Sequence, residues 1–108
     1  MNNLSECPVE ITMSLIDERW KVLIIRELLT GTKRFGELKN ALPNISSKVL
    51  TTKLRAMEKN GLIHRKIYAQ VPPKVEYKLT PIGISLKPIL DSMVIWGLSY
   101  KEKMTILE

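Results

Sequence analysis

Between residues 46 and 59 the chain reads SSKVLTTKLRAMEK, and four of its side chains could act on one target. Lys48 and Arg55 are cations, and Thr51 and Thr52 each carry a hydroxyl and a methyl. At 100° per residue, Leu54 and Met57 fall within about 40° of Leu50 and define a buried side. Thr51, Arg55, Lys48 and Thr52 lie at about 100°, 140°, 160° and 200°, away from it. Donors gathered on the first turns of a helix suit an acceptor-rich groove. Cations can bond guanine edges and phosphates, threonine methyls can touch thymine methyls, and first-turn N–H groups can meet phosphate. Ser46 is a good N-cap, and Ser47 follows it on the same end. No aromatic side chain on this face would block entry into a duplex groove. A lysine-rich solvated face would read the same way, so the surroundings must decide.

The surroundings are basic. The chain has 108 residues and a net charge of +6. Residues 33 to 78 hold eleven Lys or Arg against three acids, Glu37, Glu58 and Glu76, a local net of +8; the rest nets −2. A solvated mixed surface does not require such segregation, whereas a phosphate-bearing partner favours it.

The elements that would carry this segment follow from periodicity. The length sets one domain over 1–108. A first helix starts at Cys7 or Pro8, with Val9, Met13 and Ile16 at helical spacing, and Asp17 is a plausible N-cap for the next. That second helix runs from Arg19 to Thr30. Its broad apolar surface, from Trp20, Leu23, Ile24 and Leu28, marks it as central, and Gly31 stops it. A third helix spans Phe35 to Leu42 and ends at Pro43-Asn44. The fourth is the opening segment, closed by Asn60-Gly61.

Two alternating runs follow, Leu62 to Tyr68 and Lys74 to Leu79, separated by AQVPP. They read as a hairpin with the prolines at its tip. Thr80-Pro81 restarts helix, Pro88 forces a kink or break near Leu86 or Lys87, and the tail KEKMTILE is expected to fray. The fold class is therefore mostly α with a small β-hairpin, a winged helix-turn-helix with 35–61 as the helix-turn-helix and 62–79 as the wing. The second helix of such a pair enters the major groove. Lys74 is the only cation at the wing tip, with Gln70 a polar reader beside it. Arg65 and Lys66 on the leading strand are either further contacts or ordinary strand-edge charge. Lys33 and Arg34 precede the third helix and could clamp phosphate.

Several segments together resemble a known family. They are Cys7-Pro8-Val9, Trp20-Lys21, Arg34-Phe35-Gly36-Glu37-Leu38, Ile45-Ser46-Ser47-Lys48-Val49-Leu50, Leu54 to Leu62, Val71-Pro72-Pro73-Lys74-Val75-Glu76-Tyr77, Leu79-Thr80 and Trp96-Gly97. In this order, over residues 7 to 97, they resemble the HxlR-type bacterial transcription regulators, distantly similar to MarR proteins. The resemblance implies a homodimeric regulator that sets two recognition helices in successive major grooves of a roughly palindromic operator. It also implies a dimer surface from the first and last helices, 7–16 and 81–104. That agrees with the apolar stripe Ile89, Met93, Trp96 and Tyr100, joined by Val9 and Met13, although part of the stripe could be core. The family usually carries Gly-Gly before Lys-Trp. Here Asp17-Glu18 stand there and Arg19 replaces the lysine, so an effector pocket near this turn cannot be copied over.

Some members similar to this chain sense oxidants or electrophiles through an N-terminal cysteine, and Cys7 matches that position. A helix N-terminus favours the reactive thiolate, Glu6 and Glu10 oppose it, and a free cysteine can also be a small buried hydrophobe. One cysteine excludes an intrachain disulfide and a Cys-rich zinc site, so a redox switch would need a bridge between subunits or an adduct. The single His64 removes a His-paired metal site. With no Gly-rich phosphate loop, HExxH or nucleophile elbow, enzymatic function is not expected, nor is a cofactor. The rival class is a winged helix protein-interaction module without DNA binding. No run approaches the ~18–20 apolar residues of a membrane span. With no signal peptide in evidence, the expected location is cytoplasmic and the expected partners are double-stranded DNA and a second copy.

Overall fold

A computed structural model describes residues 4–107. Helix α1 spans Pro8–Ile16, α2 Arg19–Leu28, α3 Phe35–Ala41 and α4 Ser47–Lys59; strand β1 spans Lys33–Arg34, β2 Ile63–Tyr68 and β3 Lys74–Leu79; α5 (Pro81–Ile84) and α6 (Lys87–Leu107) close the chain. The strands form one antiparallel sheet in the order β1-β3-β2. This is the winged helix-turn-helix expected from the sequence, with one addition. Lys33 and Arg34, read as loop cations, pair with Tyr77 and Glu76 as a third strand. Two residues are too few to show the period of two by which strands are recognised.

The core gathers around α2. Ile24, Ile25 and Leu28 are buried there, against Leu38 and Leu42, Ile45, Leu50, Leu54 and Met57 of α4, and Leu62, Ile63 and Leu79. Trp20 and Leu23, expected in its central stripe, are only partly buried. The cap of α2 is Glu18 rather than Asp17. The Glu18 carboxylate accepts from the Lys21 N–H at 2.8 Å, while Asp17 ends α1 and pairs with the Lys21 ammonium at 3.7 Å. The same Glu18 reaches Lys53 of α4 at 3.2 Å, tying the start of the central helix to the fourth. Glu18 thus supplies a side-chain cap bond that a glycine there could not.

Asn44, in the turn between α3 and α4, has φ 71, a conformation that asparagine tolerates better than most residues. Gly61 has φ 77 and lets α4 turn directly into β2.

The C-terminal end departs most from a closed domain. The break at Pro88 is present as the gap between α5 and α6. The tail does not fray; α6 runs on to Leu107. Leu90 is the only residue of α6 that is buried, so the stripe beyond it is not core. A radius of gyration of 16.0 Å exceeds the ~13 Å of a compact chain of this length. The stretch Pro81–Leu107 is also long and apolar enough to cross a membrane by length and composition alone, and only 17% of its apolar window is buried.

Candidate nucleic-acid interface

Helix α4 is held by its apolar side and presents the other. Leu50, Leu54 and Met57 are buried, while Ser46, Ser47, Lys48, Thr52 and Arg55 are exposed and Thr51 is half-buried. Ser46 caps the helix, its hydroxyl oxygen accepting from the Val49 N–H at 3.0 Å. The hydroxyl proton remains available to an outside acceptor. Thr52 donates its hydroxyl to the Lys48 carbonyl at 2.9 Å, which turns its methyl and lone pairs outward. Among the described residues, neither Lys48 nor Arg55 has an acidic partner within 4 Å.

The wing sorts its cations by strand period, since successive side chains point to opposite faces. Arg65 sits opposite Tyr77 and Lys66 opposite Glu76. Arg65 therefore turns toward α4, where its Nε lies 3.6 Å from the Glu58 carboxylate. With Phe35, Thr51, Leu54, Arg55 and Tyr77 these two line a small recess of about 90 Å³ under the fourth helix. Burial pushes the Tyr77 phenol above its ordinary value, and Glu58 adds to that while Arg65 and Arg55 oppose it. Arg65 thus braces the helix to the sheet, a role beyond the two read from sequence. Lys33, opposite Tyr77, is half-buried.

Lys66 belongs to the other face, with Arg34, Tyr68, Lys74 and Glu76. There Lys74, the tip cation, shares an aromatic ring with Lys66 of the leading strand. Its ammonium lies 4.4 Å from the Tyr68 ring centroid and 3.5 Å from Glu76, and the Lys66 ammonium lies 4.9 Å from the same ring. The Tyr68 hydroxyl donates to Glu76 at 2.8 Å. That hydrogen bond, with help from Lys74 and Arg34, holds the Glu76 carboxyl below its ordinary value despite some desolvation. The carboxylate is ionised at neutral pH, and its contribution is lost only as pH falls through that lowered value. Gln70 is exposed in the turn that follows, its N–H donating to the Tyr68 carbonyl. The contact of Tyr68 with Glu76 was not legible in the sequence, because it depends on the hairpin register.

The expected dimer residues are all exposed: Val9, Met13, Ile89, Met93, Trp96 and Tyr100. Trp96 and Tyr100 stack at 5.2 Å, and Pro88, Ile89, Ser92, Met93 and Trp96 line an open groove of about 510 Å³. Cys7 is exposed at the N-cap of α1, so it is not core in the single chain. Among the described residues no three His, Cys, Asp or Glu side chains gather to hold a metal ion.

The model of the HxlR-like helix-turn-helix family matches residues 15–105. The chain belongs to that family. It is 45% identical to the HTH-type transcriptional regulator YdeP of Bacillus subtilis over 102 residues, 94% of this chain and 80% of the relative. The reduced form of the redox regulator HypR superposes with a TM-score of 0.85 at 42% identity, covering 91% of this chain and 97% of that one. The reduced form of the regulator YodB from B. subtilis gives 0.76 at 38% identity, over 85% and 91%. The HxlR-like chain described here is accordingly a helix-turn-helix transcriptional regulator.

Proposed function

We propose that this regulator binds duplex DNA as a homodimer. Each protomer sets α4 in a major groove of a roughly palindromic operator, with Lys33, Arg34, Lys66, Gln70 and Lys74 beside it. The observation that carries this is the sidedness of α4: three buried apolar residues hold it, and Lys48, Thr52 and Arg55 stand exposed with neither cation salt-bridged to a described acid. Family membership favours this over an interaction module. A DNA partner also places the protein in the cytoplasm, and the apolar α6 surface then serves a second copy rather than a bilayer.

The test is a salt titration of binding to genomic fragments recovered with the protein and to random duplex. Counterion release requires a steep loss of affinity with salt; a flat response would favour the interaction module. Arg55→Ala should cost about 1–3 kcal/mol on the recovered operator if Arg55 reads a base, and a similar loss on every sequence would assign it to phosphate. Lys48→Ala should lower the salt slope by about one unit. An unchanged slope would remove Lys48 from the phosphate contacts.

Control by oxidants or electrophiles is part of the same proposal. It rests on the exposure of Cys7 at the start of α1 and on likeness to two regulators solved in their reduced forms. An adduct or a Cys7–Cys7 bridge between subunits would alter α1 where it meets the partner. Diamide or a quinone should change operator binding by the wild type and leave Cys7→Ser unaffected. Equal responses would exclude the cysteine switch.

A further inference from the structure

The wing carries an arrangement that a row of surface lysines does not make by chance. Two ammonium groups, from Lys66 and Lys74, lie within 5 Å of the centroid of one aromatic ring, that of Tyr68. Like charges so placed repel, and the ring's negative face offsets that repulsion. The Tyr68 hydroxyl meanwhile occupies one oxygen of Glu76, leaving only the other to Lys74, at 3.5 Å. The register makes this a built feature. Tyr68 faces Lys74, and Lys66 faces Glu76, on the last two same-face pairs before the tip. A lysine lying on a ring uses its stem and one side of its ammonium, so N–H donors remain for an outside anion.

We propose that Tyr68 is the positioning residue of the wing, holding Lys66 and Lys74 together as one divided clamp for a DNA phosphate. This rests on the DNA-binding reading above and names a residue for it. Tyr68 itself need not touch DNA. Without the ring, two flexible lysines would have to be ordered at the moment of binding, with Lys74 left to Glu76 alone.

The experiment is a double-mutant cycle on full-length protein, reading duplex affinity across a salt series, with thermal melting of each variant as a folding check. Tyr68→Leu should weaken binding by about fivefold and flatten the salt slope. Lys66→Ala plus Lys74→Ala should do the same or more, and adding Tyr68→Leu to that pair should cost little further, because Tyr68 acts through them. Tyr68→Phe keeps the ring but frees one Glu76 oxygen, and should lose clearly less than Tyr68→Leu. Additive losses, an unchanged Tyr68→Leu, or a Tyr68→Phe loss as large as that of Tyr68→Leu would each overturn the assignment while leaving DNA binding intact. Failure of the wild type to bind duplex at all would remove both.

Discussion

Gly83→Ala should lower the melting temperature by more than about 10 °C, against the usual trend for a glycine in a helix. Alanine in place of glycine normally stabilises a helix by up to about 1 kcal/mol. Here a Cβ on residue 83 would stand 2.2 Å from the Leu62 carbonyl oxygen, 3.0 Å from the Leu79 side chain and 3.2 Å from the Leu62 carbonyl carbon. The nearest of these atoms is backbone, so no side-chain rotation relieves the clash. The Leu62 oxygen is also where α5 is fastened. It accepts the Thr80 N–H at 3.0 Å and the Thr80 hydroxyl at 3.2 Å, and that hydroxyl also reaches the Gly61 carbonyl at 2.6 Å and caps Gly83. Forcing the segment outward therefore costs overpacking and hydrogen bonds together, on the order of 3 kcal/mol. For a domain of this size each kcal/mol moves the midpoint by roughly 4–8 °C. Gly36→Ala is the control. Nothing lies within 4 Å of a Cβ there, and that change should be neutral or stabilising. Equal melting of the two variants would show that the α5 contact does not constrain the fold. The contact also joins the end of α4 to the segment that leads into α6.

That fastening was invisible in the sequence, and the reason is general to this chain. Features set by neighbours in sequence could be read directly. The Ser46 cap, the Asn60-Gly61 stop, the apolar side of α4 and the break at Pro88 each depend on a few consecutive residues, and each stands in the structure as expected. Features set by which strand lies beside which could not. The β1 pairing needs Lys33 to meet Tyr77, some forty positions away. The separation of Arg65 from Lys66 follows from strand alternation, yet its consequence, one on Glu58 and the other on Tyr68, needs α4 and β3 in place. A five-residue connection leaves the register of β2 on β3 open, and the Tyr68–Glu76–Lys74 cluster exists in only one register. The choice of Glu18 over Asp17 as cap was a matter of reach between two carboxylates, decided by one bond to Lys21. The family resemblance supplied the architecture around all of these, but none of the contacts.

Trp96→Glu should leave the monomer folded and abolish tight operator binding. Trp96 is 68% exposed and touches the chain's own surface chiefly through its stack on Tyr100, so a charge there breaks no core and melting of the isolated chain should shift little. What it does alter is an exposed apolar groove, lined by Pro88, Ile89, Ser92, Met93 and Trp96. Val9, Met13, Met93, Val94, Ile95, Trp96, Leu98 and Tyr100 are all at least 46% exposed. Isolated apolar residues on a surface are ordinary, but a helix, α6, that contributes one residue to the core and carries six of these eight outside it is built for a second surface. If that surface belongs to another copy, each protomer would bury a carboxylate in an otherwise apolar contact, a severe penalty for association. Sedimentation should then show a monomer where the wild type is a dimer. Each recognition helix would bind its half-site alone, and the loss of linked binding should reduce operator affinity by at least about 100-fold. Binding to a single half-site should fall far less. A Trp96→Glu protein that stays dimeric with operator affinity intact would place the subunit contact elsewhere on the chain, and the exposed face of α6 would then have to answer to a different partner.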